Sequence, residues 1–271
     1  MFTFVDDIGS KVVRTSKYTY QVFLMVYLSI RATISDQAQG IRTIISVVSA
    51  QIYFTGFQAL PLVSVLALGA GGVVVLQFNA QLTYFGNAAY IGNLMVILIV
   101  REIAPLFTAL LVIARSGTAV ASEIGSMRVN KEIEALESMG INPLSYIVFP
   151  RIIGGVISVV CLAFYFDVIA LFGGFFLTRL IQDMPFSFYT ESLANAFASE
   201  DVVLFFLKNT FSGVIIFVVS CYQGLLVKKS PHEIPQVTTK AVINSIVFVA
   251  IFNLATSGLF YLNQLSRLGL L

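Results

Sequence analysis

Five stretches of this chain, residues 59–78, 88–113, 152–180, 202–227 and 241–262, are each at least 20 residues long and carry few charges. A helix that crosses the hydrocarbon core of a bilayer needs about 20 mostly apolar residues. Runs of that length decide the fold class, because water cannot be the only solvent for the surface they make. The composition agrees: 58% of the residues are hydrophobic and 11% are charged, against about 25% charged in a typical soluble domain. The mean hydropathy is +0.90. The expected fold is an all-α integral membrane protein, a single domain over residues 1–271 with five spans.

Between and before the spans the sequence changes character. Residues 18–30 are apolar but too few to span, and Lys17 and Arg31 flank them. Residues 11–42 therefore read as an interfacial helix, or an elbow that dips into the membrane and returns. The opening residues carry Asp6 and Asp7 and no small-residue cleavage site, unlike a signal peptide. Residues 182–201 form an acidic connector with Asp183, Glu191, Glu200 and Asp201, and residues 228–235 form a short basic loop. Basic residues mark the cytoplasmic side. Arg115, Arg128, Lys131, Arg151, Lys228, Lys229 and Lys240 fall on alternate connections and orient the chain, with Arg179, Lys208 and Arg267 as exceptions.

Residues 121–140 are the one extended polar helix predicted outside the spans. Ile124, Met127, Ile133, Leu136 and Met139 recur every three to four residues among Glu123, Arg128, Lys131, Glu132, Glu134 and Glu137. Such a helix offers one face to its own bundle and another to a soluble partner. Gly140 followed by Asn142-Pro143 is a helix stop.

Ionisable groups inside the spans are the candidate chemistry. Arg101 and Glu102 lie near the middle of the second span and Asp167 within the third. At membrane depth such a group costs ~2.5–3.5 kcal/mol and faces a partner or a wet cavity. Arg101 and Glu102 point about 100° apart on a helix, so each needs a partner elsewhere, either a neighbouring helix or a polar headgroup. Pro105 kinks the same span. Leu76, Phe78, Leu82 and Phe85 cluster at the turn after the first span, where they could wall a pocket for acyl chains or simply face lipid. Cys161 and Cys221 lie alone in apolar runs, so no disulfide or metal cluster is expected. No cofactor is expected, and no P-loop is present to hold a nucleotide. The net charge of +2 gives no argument for nucleic acid.

The run Arg101-Glu102-Ile103-Ala104-Pro105, the pattern E-I-G-x-M over Glu123 to Met127, the downstream A-L-x-x-M-G-x-x-P and the following FPRIIGG together resemble the MlaE family of ABC transporter permeases. The resemblance covers essentially the whole chain and implies a homodimer that works with cytoplasmic ABC ATPase subunits. It also implies a periplasmic MCE protein, in some systems a STAS-domain protein, and phospholipid as the transported molecule in the inner membrane. By the same resemblance Glu123 to Met139 is the coupling helix that docks in the ATPase, through Glu123, Ile124, Gly125, Met127, Arg128, Glu132, Leu136 and Met139. Arg101 and Glu102 correspond to the family's intramembrane pair, while Lys131 stands where the family often has an acidic or polar residue.

Two rival classes are weaker. An intramembrane enzyme lacks a base, since the single histidine, His232, lies in the basic loop. A secondary transporter or channel is disfavoured by the absence of an evident internal repeat. A non-transporting membrane scaffold is a third alternative.

Overall fold

The computed structural model describes residues 2–35, 41–84, 91–179, 185–228 and 230–267, and among these there is no strand. Five helical segments are long and apolar enough to cross a membrane: Ile44–Gln77, Gly92–Val129, Leu144–Phe176, Ser199–Leu225 and Glu233–Arg267. Helix α1 (Phe2–Ser35) precedes them. The first span joins α2 (Ile41–Thr55) to α3 (Leu60–Tyr84) through a tight turn at Phe57–Ala59. It therefore starts well before the expected residue 59. Gln51, inside this early part, is satisfied locally, donating to Thr55 at 2.7 Å within the helix.

The second span is assembled from α4 (Ile91–Met95), α5 (Ala104–Val112) and α6 (Thr118–Val129), joined by wider π-helical turns at Val96–Ile103 and Ile113–Gly117. The third contains α8 (Phe149–Val168) and α9 (Gly174–Arg179). Helices α11 (Ser199–Leu225) and α12 (Glu233–Arg267) are the fourth and fifth. Successive spans run antiparallel. The bundle therefore has a basic end, with Arg128, Lys228 and Lys240, and an opposite end where α10 (Phe186–Ala196) packs on α4.

Helix α11 is the centre of the bundle and packs on α6, α8 and α12. Ile99, Val159, Phe166, Ile216 and Phe217 are almost fully buried there. Close approach of α6 and α11 depends on Gly224, where a Cβ would lie 2.8 Å from the Cβ of Ile124.

The expected polar helix over 121–140 divides in two. Helix α6 carries the second span through to Val129, the chain bends at Asn130-Lys131, and α7 (Glu132–Ser138) follows. Lys131 takes a left-handed conformation at the bend, with φ of 60°. The end of α7 is as predicted: Gly140, at φ of 75°, donates to Glu137 and Ile141 donates to Leu136, a Schellman closure. Asn142 Oδ1 then accepts from the Leu144 N–H at 3.0 Å.

Helix α1 differs in extent from the expected residues 11–42 and docks on the basic end. Tyr18 stacks on Phe248 at 5.9 Å and accepts a hydrogen bond from Gln223 at 2.9 Å, while Tyr222 donates to Gln21 at 2.7 Å. Burial pushes the Tyr18 hydroxyl pKa up, against the hydrogen bonds to Gln223 and Asn244.

Candidate functional site

The expected pair Arg101-Glu102 falls in the π-helical turn Val96–Ile103, a feature often found at functional positions. Because the second span continues to Val129, the pair lies nearer one end than the middle. Arg101 is nine residues inside Gly92, Lys208 nine inside Ser199, Asp167 nine inside Phe176 and Ser257 ten inside Arg267. At 1.5 Å per residue, four spans thus bring polar groups to one level, roughly 13–15 Å below the α10 end.

Each member of the pair finds its partner on another helix. Arg101 Nε lies 2.6 Å from Asp201 Oδ1, with side-chain exposures of only 9% and 1%. The other Asp201 oxygen accepts the Ala198 N–H at 2.9 Å, so the carboxylate also closes the first turn of α11. The Arg101 guanidinium lies over the Phe260 ring at 5.0 Å, a cation–π contact.

Lys208 is fully buried, and its ammonium uses three donors. It donates to the Arg101 carbonyl at 2.5 Å, to Ser257 Oγ at 2.7 Å and to Glu102 Oε2 at 3.2 Å. Ser257 in turn donates to Glu102 Oε2 at 3.0 Å. The first of these contacts follows from Pro105. In an α-helix the Arg101 carbonyl would accept from residue 105, but proline has no N–H to give. Lys208 supplies the missing donor from across the bundle.

The cluster is neutral overall, with Arg101 and Lys208 balancing Glu102 and Asp201. Its bonding is incomplete. Arg101 Nη1 and Glu102 Oε1 are buried without a hydrogen-bond partner among the described residues. Once uncovered, an arginine nitrogen in that position would be a donor for a phosphate or carboxylate oxygen.

Sequence reasoning placed Asp201 in the acidic connector and treated Lys208 as an exception to the charge pattern. The usable signal was that exception: a lysine inside an apolar run needs a carboxylate at the same depth.

The other expected site residues are arranged as follows. Leu76 is partly buried in α3; Phe78 and Leu82 belong to the same helix, and Phe85 lies outside the described residues. Ile124, Gly125 and Ile133 turn into the bundle, and Met127, Arg128 and Leu136 are half-buried. Glu123, Glu132, Glu134, Glu137 and Met139 are exposed, Met139 at 64%. Helices α6 and α7 thus show the two faces read from the sequence except at Met139, which the apolar period put on the bundle face and which is exposed. Glu123 is also tied to the third span, since Arg151 Nη2 reaches its Oε1 at 2.7 Å. Among the described residues no group of His, Cys, Asp and Glu side chains could hold a metal ion.

A family described as Permease MlaE matches residues 48–259. A probable ABC transporter permease protein of Rickettsia conorii is 28% identical over 261 residues, covering 96% of this chain and 99% of the relative. Another from Rickettsia bellii is 32% identical over 216 residues, 80% of this chain and 83% of the relative. The chloroplastic protein Trigalactosyldiacylglycerol 1 of Arabidopsis thaliana is 26% identical over 211 residues, 78% of this chain and 60% of the relative.

Proposed function

The chain belongs to the MlaE permease family and is a membrane permease of an ABC transporter, and on that premise we propose that it moves phospholipids between the inner membrane and a periplasmic MCE carrier protein. It works as a homodimer with two cytoplasmic ATPase subunits, and a STAS-domain protein joins in some assemblies. The chain itself hydrolyses nothing: the sequence holds no P-loop, so the energy arrives through the partner.

The observation that carries the lipid reading is the incomplete charge cluster. An apolar bundle holds acyl chains without directional bonds, and Arg101 Nη1, lacking a partner, is the donor a phosphate headgroup requires. The name of the chloroplast relative, which contains that of a diacylglycerol lipid, points the same way. The α10 end then faces the periplasm and the basic end the cytoplasm.

On the cytoplasmic side, the exposed face of α6 and α7 docks in the ATPase. Ile124, Gly125 and Ile133 bind that unit to the bundle, and Glu132, Glu134, Glu137 and Met139 meet the partner. Closure of the ATPases on ATP draws the two docking units together. The Glu123–Arg151 pair and the α6–α11 crossing carry the movement into the spans.

The test is phospholipid transfer by the reconstituted transporter. Arg101→Ala is expected to cut transfer strongly, with Arg101→Lys retaining part of it because the Asp201 pair survives. A folded Arg101→Ala protein with unchanged lipid binding and transfer would remove the headgroup role.

A further inference from the structure

A cavity of about 450 Å³ lies beside the charge cluster, at the same depth but on the other side of Asp201. Its walls come from four elements: Val100 of the second span, Asp167 and Leu171 of the third, Leu193 of α10, and Asp201 and Phe205 of α11. The volume is within the ~300–1,000 Å³ of small-molecule sites. Helix α10 is a fixed wall. Tyr189 is fully buried, donates to the Leu171 carbonyl at 2.8 Å and stacks on Phe175 at 4.9 Å. Phe164 and Phe206 at the rim are 64% and 53% exposed, so the mouth opens sideways toward the bilayer.

The lining is apolar apart from Thr190 and the two carboxylates. These two differ in what they already hold. Asp201 is occupied by Arg101 and by the Ala198 N–H. Asp167 is 7% exposed, makes no hydrogen bond or ion pair with any described residue, and its buried Oδ1 has no partner. A carboxyl group held at membrane depth without a protein partner is a ligand-facing group by default. The one hydroxyl in the lining, Thr190, already donates to the Phe186 and Ser187 carbonyls of its own helix.

We propose that this cavity binds an amphiphile carrying a primary ammonium on an apolar body, with Asp167 as its counter-ion. The apolar walls take the hydrocarbon, and the ammonium supplies both the donors and the charge that Asp167 lacks. Anionic amphiphiles are excluded by the same carboxylate, so the site selects for the opposite head chemistry to the Arg101 cluster. The assignment does not rest on phospholipid being the transported molecule. The ammonium belongs either to a single-chain lipophilic amine or to an aminophospholipid headgroup.

The sequence contains no tryptophan, so Phe197→Trp at the cavity wall gives a single fluorescent reporter in the full chain. Dodecylamine, dodecanol and dodecanoate are titrated at neutral pH in detergent. The expected result is a saturable response to dodecylamine alone, weakened by on the order of tenfold or more in Asp167→Asn, as for loss of one partner of a buried pair. Ala194→Leu narrows the cavity from exposed α10 without touching Asp167 and is expected to weaken binding too. No saturable response, equal binding of dodecanol, or unchanged affinity in a folded Asp167→Asn protein would overturn the proposal. If Asp167→Asn does not fold, unchanged binding in Ala194→Leu overturns it. Competition by short-chain phosphatidylethanolamine supports the headgroup source, and its absence supports the free amine. Equal competition by phosphatidylcholine, which has no N–H donor, counts against the proposal.

Discussion

Replacing Lys208 with methionine keeps most of the unbranched side chain, one atom shorter, and removes the ammonium on which three spans converge. Three contacts are lost: those to the Arg101 carbonyl, Ser257 and Glu102. The carbonyl has no substitute donor at residue 105, which is proline. Removing one partner of a buried ion pair costs about 3–5 kcal/mol. Here Glu102 retains the Ser257 hydrogen bond and its side chain is 29% exposed, so solvent screening brings the loss below that range, to about 2–3 kcal/mol. On the scaling of globular domains of similar size this lowers the melting temperature by about 4–12 °C. Adding Glu102→Gln removes the stranded charge and should restore about half of the loss. Cys221 is buried and Cys161 exposed, so in a Cys161→Ala background a thiol-reactive dye reports unfolding through Cys221. An unchanged melting temperature in the single variant, or a double variant that merely adds two independent losses, would refute the pairing argument.

Three further outcomes follow from the same geometry. Gly224→Ala places a methyl carbon 2.8 Å from the Ile124 Cβ, forces α6 from α11 and costs about 1–3 kcal/mol, read in the same dye assay. Glu134→Lys with Glu137→Lys changes only exposed side chains of α7, so melting stays within about 0.5 kcal/mol of the parent while copurification of the ATPase falls. In a cysteine-free background, an impermeant thiol reagent outside the cytoplasm is expected to label Ser199→Cys and spare Ser138→Cys. The reverse pattern would invert the orientation.

The spans were legible because length and apolarity set them, and neither depends on neighbours. Their ends were less legible. The first span begins some fifteen residues before the expected residue 59: Ser46, Ser49 and Gln51 break the apolar run there, but a helix tolerates a polar side chain when a local acceptor is one turn away, as Thr55 is for Gln51. The bend at Asn130-Lys131 left no mark, since Lys131 adopts a positive φ without glycine. The same kind of error displaced the site. With α11 expected to start at residue 202, Asp201 belonged to a connector, and its match in depth to Arg101 was invisible. Arg101, Glu102 and Asp167 themselves stood out, because a charge in an apolar run needs a reason whatever the fold. The faces of α6 and α7 were readable from their period, apart from Met139 at the exposed end of α7, and the Gly140 stop from its turn chemistry.

The central claim, an ATPase-coupled lipid permease, is tested most directly by native mass spectrometry of the complex gently purified from its own membranes. The account predicts two copies of this chain, two ATPase subunits and bound phospholipid released at high collision energy. A lone chain, with neither ATPase nor lipid, would contradict it.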